Sequence, residues 1–476
     1  LETKQEEKTT MKFYFEKIWT PVFDGNDIDA LIPEVWAQEA LMVLEANAVA
    51  AGLVYRDFED EIAQFGDIVN AHRPRKFQAK RKGYDDDVVT QAAVADNIPV
   101  PLNQHLYTSF IIKDGEESKS FKSLRDMYLI PALESINQAM DVMVLGQVYN
   151  FLDNAVGQLG VALDEDTVVD VETKFNTLHV PPGQRFGLLT PQAKGQASKI
   201  DKFTDANRIG DDGTAIRTGA LGFLYGTNWI MAQNAPFISS EREVYATALT
   251  ANEPIGETVL AVTAFAAEHD AHVGGWLTVA GDMTPQKIIS VDNAAETITI
   301  SPGLRDACVS TAVVTIYVPG LIDLSAGYAA DWYKEVEIDT VTVAPETGQL
   351  MSFDDATTPA AFTSESAYAV MPGATTTLVL PEVPVRVAVD NNDIVGLGPS
   401  GNYSFCFHPE AIALVTRPLA APAAGTGALA SVASYNGLSI RVVMTYDGVK
   451  QGHLVTVDML CGIKVLNTDL GIPLLS

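Results

Sequence analysis

Cysteine is scarce: Cys308, Cys406 and Cys461 stand far apart in 476 residues. They form neither a disulfide framework nor a zinc-ligand spacing, and a reducing cytosol is the simplest compartment for them. Positive charge is scarce too, with 31 Lys and Arg against 61 Asp and Glu, a formal charge of −30. That argues against a chain whose main task is gripping nucleic acid, because phosphate binding needs clustered cations. It also argues against an anionic membrane surface as partner. No run approaches the ~20 apolar residues of a membrane span; the best, 40–54, contains Glu45 and Asn47. The first residues lack the apolar core of a secretory signal. Leu1 in place of Met leaves open both trimming and a start codon read literally as leucine.

Catalytic motifs are equally sparse. No GxSxG elbow, phosphate-binding Walker loop or CxxC occurs. GLGPSG at 396–401 matches GxGxxG in letters, but Pro399 sits inside it and the strand-like YSFCF follows. A dinucleotide site needs a helix opening there, so the segment reads as a loop. His269 and His272 are three apart with no third ligand suggested nearby, and read as surface histidines. Asp85, Asp86 and Asp87, like GDDG at 210–213, lack the alternation of a calcium loop and read as solvated turns. Cys406 and Cys461 lie in apolar strand-like runs, where a buried inert thiol is the default. No enzyme, cofactor or metal is expected.

What is present is a sequence of contrasting segments. Hydrophobic residues make up 47% of the chain, enough for a sizeable core. A polar, then aromatic arm precedes an Ala- and Leu-rich helix expected at 32–54, with Pro33 in its first turn. Residues 55–117 alternate in character and read as a long loop or two-stranded finger. Within them Arg73, Arg75, Lys76, Lys80, Arg81 and Lys82 put six cations in ten positions, directly before the acidic run. A solvated face is the plain reading of that cluster; on so acidic a chain, self-association is the more economical functional one.

Residues 119–154 carry the strongest helical pattern. Leu129, Leu133, Ile136, Met140 and Val144 recur at spacings of three and four, which places them on one face. Pro131 should bend the helix or mark where a flatter first segment joins it. Such a rod would be ~50 Å long, a spine. Short strand and helix patterns alternate from 168, with RFGLLTPQAK reading as strand then helix start. From about 246 to 400 helical periodicity vanishes, and runs such as GGWLTVAGD, KIISVDN, ETITISPGL and AVVTIYVPG read as strands. This stretch holds four bases against twenty acids, −16 of the total −30, and is expected to be a separate β barrel or sandwich. YSFCFHPEAIALVTRPL reads as strand then short helix. After an Ala/Pro/Gly linker the chain ends in two long β runs joined around Asp447 and Gly448.

This order of segments resembles the major capsid proteins of tailed phages, the Hong Kong 97 type fold. Within them it is similar to the coat proteins of the podovirus P-twenty-two group, which carry an inserted β-barrel domain. The segments that carry the likeness are PEVWAQEAL with VYRDFEDEIAQFGDIV, SLRDMYLIPALESINQAMD, FCFHPEAIALVTRPL and YNGLSIRVVMTYDGVKQGHLVTVDMLCGIKVL. The resemblance implies an α+β fold. Residues 1–54 would be an N-terminal arm and helix, 55–117 an extended E-loop and 118–167 the spine helix of a peripheral domain. An axial domain would comprise 168–240 and 401–450, interrupted by the inserted β domain at 241–400, and 451–476 would return to the peripheral domain. It further implies hexamers and pentamers in an icosahedral shell, a scaffolding protein, a portal, a decoration protein, and packaged DNA enclosed without specific binding. The location would be the virion, and the host cytoplasm during assembly. The six cations would then touch a neighbouring subunit, with Pro131, Leu133, Ile136 and Met140 structural. An encapsulin-like compartment shares that fold, and a tail or adhesin protein is the remaining alternative.

Overall fold

The computed structural model describes residues 40, 49–56, 68–74, 79–82, 84, 87, 95–102, 104–113, 128–200, 221–235, 237–238, 244–263, 275–292, 294–317, 326–327, 335–337, 351–354, 377–379, 391, 394–397, 399–417, 419–422, 428–435 and 438–476. The arm and most of the helix expected at 32–54 lie outside them. The last part of that stretch, 49–54, is turn and bend rather than helix. A side chain from elsewhere competes for its N–H groups: the Asp141 carboxylate accepts from the main chain of Ala50 and Ala51, both at 3.0 Å.

Strands β1 (Ile68–Pro74) and β2 (Ala95–Pro101) pair antiparallel from Ile68↔Pro101 to Pro74↔Ala95. They make a two-stranded finger. Strand β3 (Gln104–Lys113) follows. Helix α1 (Ile130–Gly146) comes next, and Leu129, Leu133, Ile136, Met140 and Val144 are each at most 2% exposed. Pro131 stands at the start of the α form, directly after π-helical Tyr128 and Leu129, so it marks where a differently wound first segment joins the helix. The α form does not run to residue 154. Gln147–Asn154 is a 3-10 helix, so the described α rod is 17 residues, about 25 Å. Residues 119–127 lie outside the description.

After β4 (Val156–Gly157), helix α2 (Glu165–Thr177) starts on an Asp164 cap that accepts the Thr167 N–H at 2.8 Å. Val168, Val171 and Phe175 form its buried stripe. The expected axial boundary, about 168, falls inside this helix. The RFGLLTPQAK segment forms β5 (Phe186–Leu189) and α3 (Pro191–Ala197), capped by Thr190. Then come β6 (Gly222–Leu224), β7 (Thr227–Met231) and the short β8 (Phe237–Ile238).

The next six strands are β9 (Val244–Ala248), β10 (Val259–Ala261), β11 (Trp276–Val279), β12 (Gln286–Asp292), β13 (Thr297–Ser301) and β14 (Val313–Tyr317). They form one antiparallel sheet in the order β10-β13-β12-β11-β14-β9. Its two outer strands meet beyond their ends, where Thr250 N–H donates to Ala261 at 2.9 Å and Thr263 N–H to Ala248 at 2.8 Å. The sheet is thus a small closed barrel, which leaves no free edge. Leu260, Val262, Leu277, Val279, Ile288 and Ile298 fill it. The barrel uses only part of 241–400. Beyond it, β15 (Glu335–Glu337) pairs with β17 (Thr377–Val379), and β16 (Met351–Asp354) with β18 (Ile394–Leu397).

The chain closes with β19 (Gly401–Phe407), β20 (Ile412–Arg417), β21 (Ala428–Tyr435), β22 (Leu438–Asp447), β23 (Gly452–Val465) and β24 (Gly471–Leu475). The expected short helix in HPEAIALVTR is only one 3-10 turn, Pro409–Ala411, followed by strand β20, buried along its whole length. A short unalternating apolar run suits a doubly covered strand as well as a helix. Two body sheets result. One is mixed, β4-β24-β19-β5-β7-β6, with β8 on β19; the other joins β20, β23, β22 and β21, with β3 on β23. Because β22 and β23 are arms of one hairpin, the expected boundary at 450/451 cuts through a sheet. Helix α1 packs on β3 and β23, and the 3-10 segment packs on β24. One core of side chains, including Met140, Phe151, Tyr403, Phe405 and Val457, runs through both sheets. The architecture is mixed α+β.

Candidate functional site

The finger is anchored at its base. Ala71, Val100 and Leu102 pack on Ala413, Val415 and Leu460 of β20 and β23. Val69 and Ile98 pack against this cluster, and the segment between β1 and β2 carries the charge. Lys80, Arg81 and Lys82 are exposed, as is Asp87. Arg73 lies in β1, in register opposite Asp96, while Arg75, Lys76, Asp85 and Asp86 lie outside the described residues. Tyr84 is 100% exposed beside the cations, an aromatic that charge counting alone passed over. An exposed ring next to cations is a typical interface pairing.

Below the finger, three side chains tie β3, β22 and β23 together. Arg441 lies opposite Asp458 in register, and Tyr107 of β3 lies opposite Asp458 on its other side. His105 is two residues along β3 from that Tyr, on the same face. The Asp458 carboxylate accepts Arg441 Nε–H at 2.9 Å and a second guanidinium N–H, and His105 Nε2 sits at 3.2 Å. Burial by itself would raise the Asp458 carboxyl; the bonds and charges of His105 and Arg441 outweigh it and hold the pKa below its ordinary value. The group is a clamp on the sheet.

A second cluster joins barrel and body. Arg305 donates through Nη1 to the Gly157 carbonyl at 2.7 Å, while Gln158 Nε2 of the body donates to the Gly281 carbonyl at 3.0 Å. Arg305 also meets Asp306 at 3.0 Å and the Asp282 carbonyl at 3.1 Å. Asp282, wholly buried, accepts from Thr284 Oγ1, Gln286 Nε2 and the Arg305 N–H. Burial is the main influence on its carboxyl, and the pKa rises despite these bonds. Trp276 of β11 enters the body core. A cleft of about 300 Å³ remains where barrel and 3-10 segment face one another, lined by Tyr149, Asn150, Asp153, Trp276 and Lys287 among others.

The three thiols are free and buried. Burial pushes Cys308 up to about 11, Cys461 up to about 12 and Cys406 higher still, which leaves them protonated and inert at neutral pH. In GLGPSG, Gly401 opens strand β19 and no helix follows. His269, His272 and 210–213 lie outside the described residues. Among the described residues no group of His, Cys, Asp or Glu could hold a metal ion, and no helix is long and apolar enough to cross a membrane.

No family model and no curated protein matches the chain. Among solved structures it is similar to one from Mycobacterium phage Che8, at 11% identity and TM-score 0.40 over 90% of this chain and 91% of that one. It is also similar to the capsid structure of the cyanophage P-SCSP1u, at 8% identity and TM-score 0.40 over 89% and 91% of the two chains. The mature capsid of bacteriophage PhiM1 gives 9% identity and TM-score 0.37 over 90% and 87%.

Proposed function

We propose that the chain is a major capsid protein of a tailed phage, of the Hong Kong 97 type, which self-assembles into an icosahedral shell around the double-stranded DNA genome. The observation that carries the reading is a construction: a basic-tipped finger seated on the sheet that α1 braces, joined through one core to a second sheet that bears an inserted barrel. This is a scaffold made of projecting surfaces, and its described part offers no chemistry. Residues 55–117 then serve as the E-loop, with Arg73, Arg75, Lys76, Lys80, Arg81 and Lys82 reaching a neighbouring subunit. The body sheet of β20 to β23 with β3 and α1 is the peripheral part, and the mixed sheet the axial part.

Charge fits that role. An inner wall of net negative potential holds packaged DNA without gripping phosphate. Copies carrying −30 also repel one another, so association needs apolar area and local charge pairing, which basic tips on acidic neighbours supply. Hexamers and pentamers, a scaffolding protein, a portal and a decoration protein complete the proposal, with the virion as final location and the host cytoplasm as the place of assembly. The protein would be structural and non-enzymatic. Negative-stain imaging of the purified protein, alone and with the product of its neighbouring gene, tests it. Closed shells or ring-shaped capsomers are expected; a monodisperse monomer under all conditions overturns the reading.

A further inference from the structure

The sheet next to the finger ends in a strand whose outer side is unusual. β21 pairs with β22 in unbroken register from Ala428↔Thr445 to Tyr435↔Leu438. It is the last strand of its sheet, and among the described residues no strand pairs with its other edge. Exposed edges are ordinarily blunted by Lys, Pro, a bulge or a charge turned inward. β21 reads ALASVASY and has none of these devices. On a chain with 61 acids and 31 bases, residues 418–440 carry no charge at all. Apolar side chains crowd the same margin. Leu429 is 62% and Val432 is 39% exposed, on opposite faces of the strand, while Ala433 packs against the core.

We infer that the outer edge of β21, unpaired among the described residues, is an interface and that its occupant is β21 of a second copy of this chain, added antiparallel across a two-fold axis. Antiparallel neighbours are related by such an axis, so one strand presents a self-complementary row of N–H and C=O groups. Charge selects the occupant. A strand bearing carboxylates would set like charges opposite one another on self-pairing, which is destabilising; β21 brings none, and it is a long uncharged front on a subunit of −30. Joining the two strands extends the sheet of each subunit across the axis and covers Leu429 and Val432 as well as the backbone groups. The contact lies on a different strand from the basic finger.

The inference rests on the self-assembly proposed above, and one preparation tests both. Single cysteines are placed at Ala430, Ser431, Val432 and Ala433; the native thiols are buried and do not compete. Under mild oxidation one of these positions, the one on the axis, is expected to give a disulfide-linked dimer in high yield, with the yield falling to either side. Val432→Lys and Leu429→Lys, at exposed positions, are expected to keep the circular dichroism and melting temperature of the parent and to lose the dimer. Equal cross-linking at all four positions, which is random collision, overturns the inference, as does a Lys variant that still dimerises like the parent. Shells seen by negative stain without any cross-link sink the edge pairing and leave the shell reading standing. If neither shells nor dimers form, both fall.

Discussion

Removing the Arg441 guanidinium should strand a carboxylate in the sheet. The Asp458 side chain is 4% exposed and that of Arg441 17%, so water can replace little of what is lost. Arg441→Met would leave Asp458 with only His105, whose own side chain is 40% exposed. Breaking a buried pair from one side costs about 3–5 kcal/mol, whereas an exposed pair is worth about 0.2–1 kcal/mol. Arg441→Met is therefore expected to lose about 3 kcal/mol or more. The double variant Arg441→Met with Asp458→Leu strands no charge and should recover most of it. Urea unfolding of the unassembled subunit reads both, provided the m-value stays constant. The pH dependence has a defined sign. In the wild type the folded Asp458 pKa lies below its unfolded value of about 3.9, so its contribution is present above that pH and is lost as pH falls through the folded value. Without Arg441, burial dominates and the folded pKa moves up, so the deficit of the variant should shrink as pH falls toward 4. A single variant within 1 kcal/mol of wild type, or a double as costly as the single, would refute the reasoning.

The barrel latch predicts that Arg305→Ala with Gln158→Ala costs about 2 kcal/mol from lost charge-assisted bonds and speeds hydrogen exchange at the barrel–body junction; exchange unchanged there would mean that the docking of Trp276 suffices. Met140→Asp places an unpaired charge at a site 0% exposed and should destabilise by roughly 3 kcal/mol or more, so a soluble, normally assembling variant would contradict the packing. Burial, with the charge of Arg185 opposing the help of Glu410, lowers the His408 pKa. The unfolded chain therefore binds the proton first, and stability should fall as pH drops below about 6.5; His408→Asn, which keeps a cap acceptor for the Glu410 N–H, should flatten that limb in a pH-resolved thermal melt. Reversing Arg75, Lys76, Lys80 and Arg81 to Glu should leave the subunit folded while slowing shell formation, followed by light scattering, and high salt should mimic part of the defect by screening; assembly at the normal rate would make the finger tip a solvated face.

Much of this fold was legible where one periodicity ruled a segment. The stripe from Leu129 to Val144 is buried, and GGWLTVAGD, KIISVDN, ETITISPGL and AVVTIYVPG all contain strands. The hairpin around Asp447 is there too, with a longer loop than Asp-Gly suggests: the Asp447 carboxylate accepts from Val449, and the positive φ falls on Gln451. Tertiary context decided the rest. HPEAIALVTR is apolar without alternation, so only its partner β23 shows it to be a strand. The 3-10 continuation of α1 packs on β24, a strand more than 300 residues away in sequence. Of the candidate site, the charge anomaly was visible at once. Arg441 with Asp458, and Arg305 with Gly157, were not, because each pair joins residues whose sequence neighbourhoods carry no signal of the other.

Segment boundaries were the least legible feature, and the topology explains both why and what they mean. Each body sheet is assembled from distant stretches: β3 lies beside β23, and β5 beside β19. A cut in sequence therefore rarely coincides with a cut in space. One place differs. β8 and β19 pair directly, Asn402 opposite Phe237 and Gly401 opposite Ile238, so the chain leaves the mixed sheet and re-enters it at adjacent points. Everything from 239 to 400 hangs from that closed gate. The entropic cost of a long excursion grows only with the logarithm of its length, about 0.6 kcal/mol per doubling, so the body is nearly indifferent to how much chain is placed there. The Gly401 backbone, at φ +152°, brings the strand so close to Leu159 that a Cβ would lie 2.4 Å from its side chain. The re-entry point is thus fixed by glycine and by β8, independently of the excursion. A barrel that closes on itself and docks through Arg305, Gln158 and Trp276 is the kind of unit such a gate can carry without disturbing the two sheets behind it.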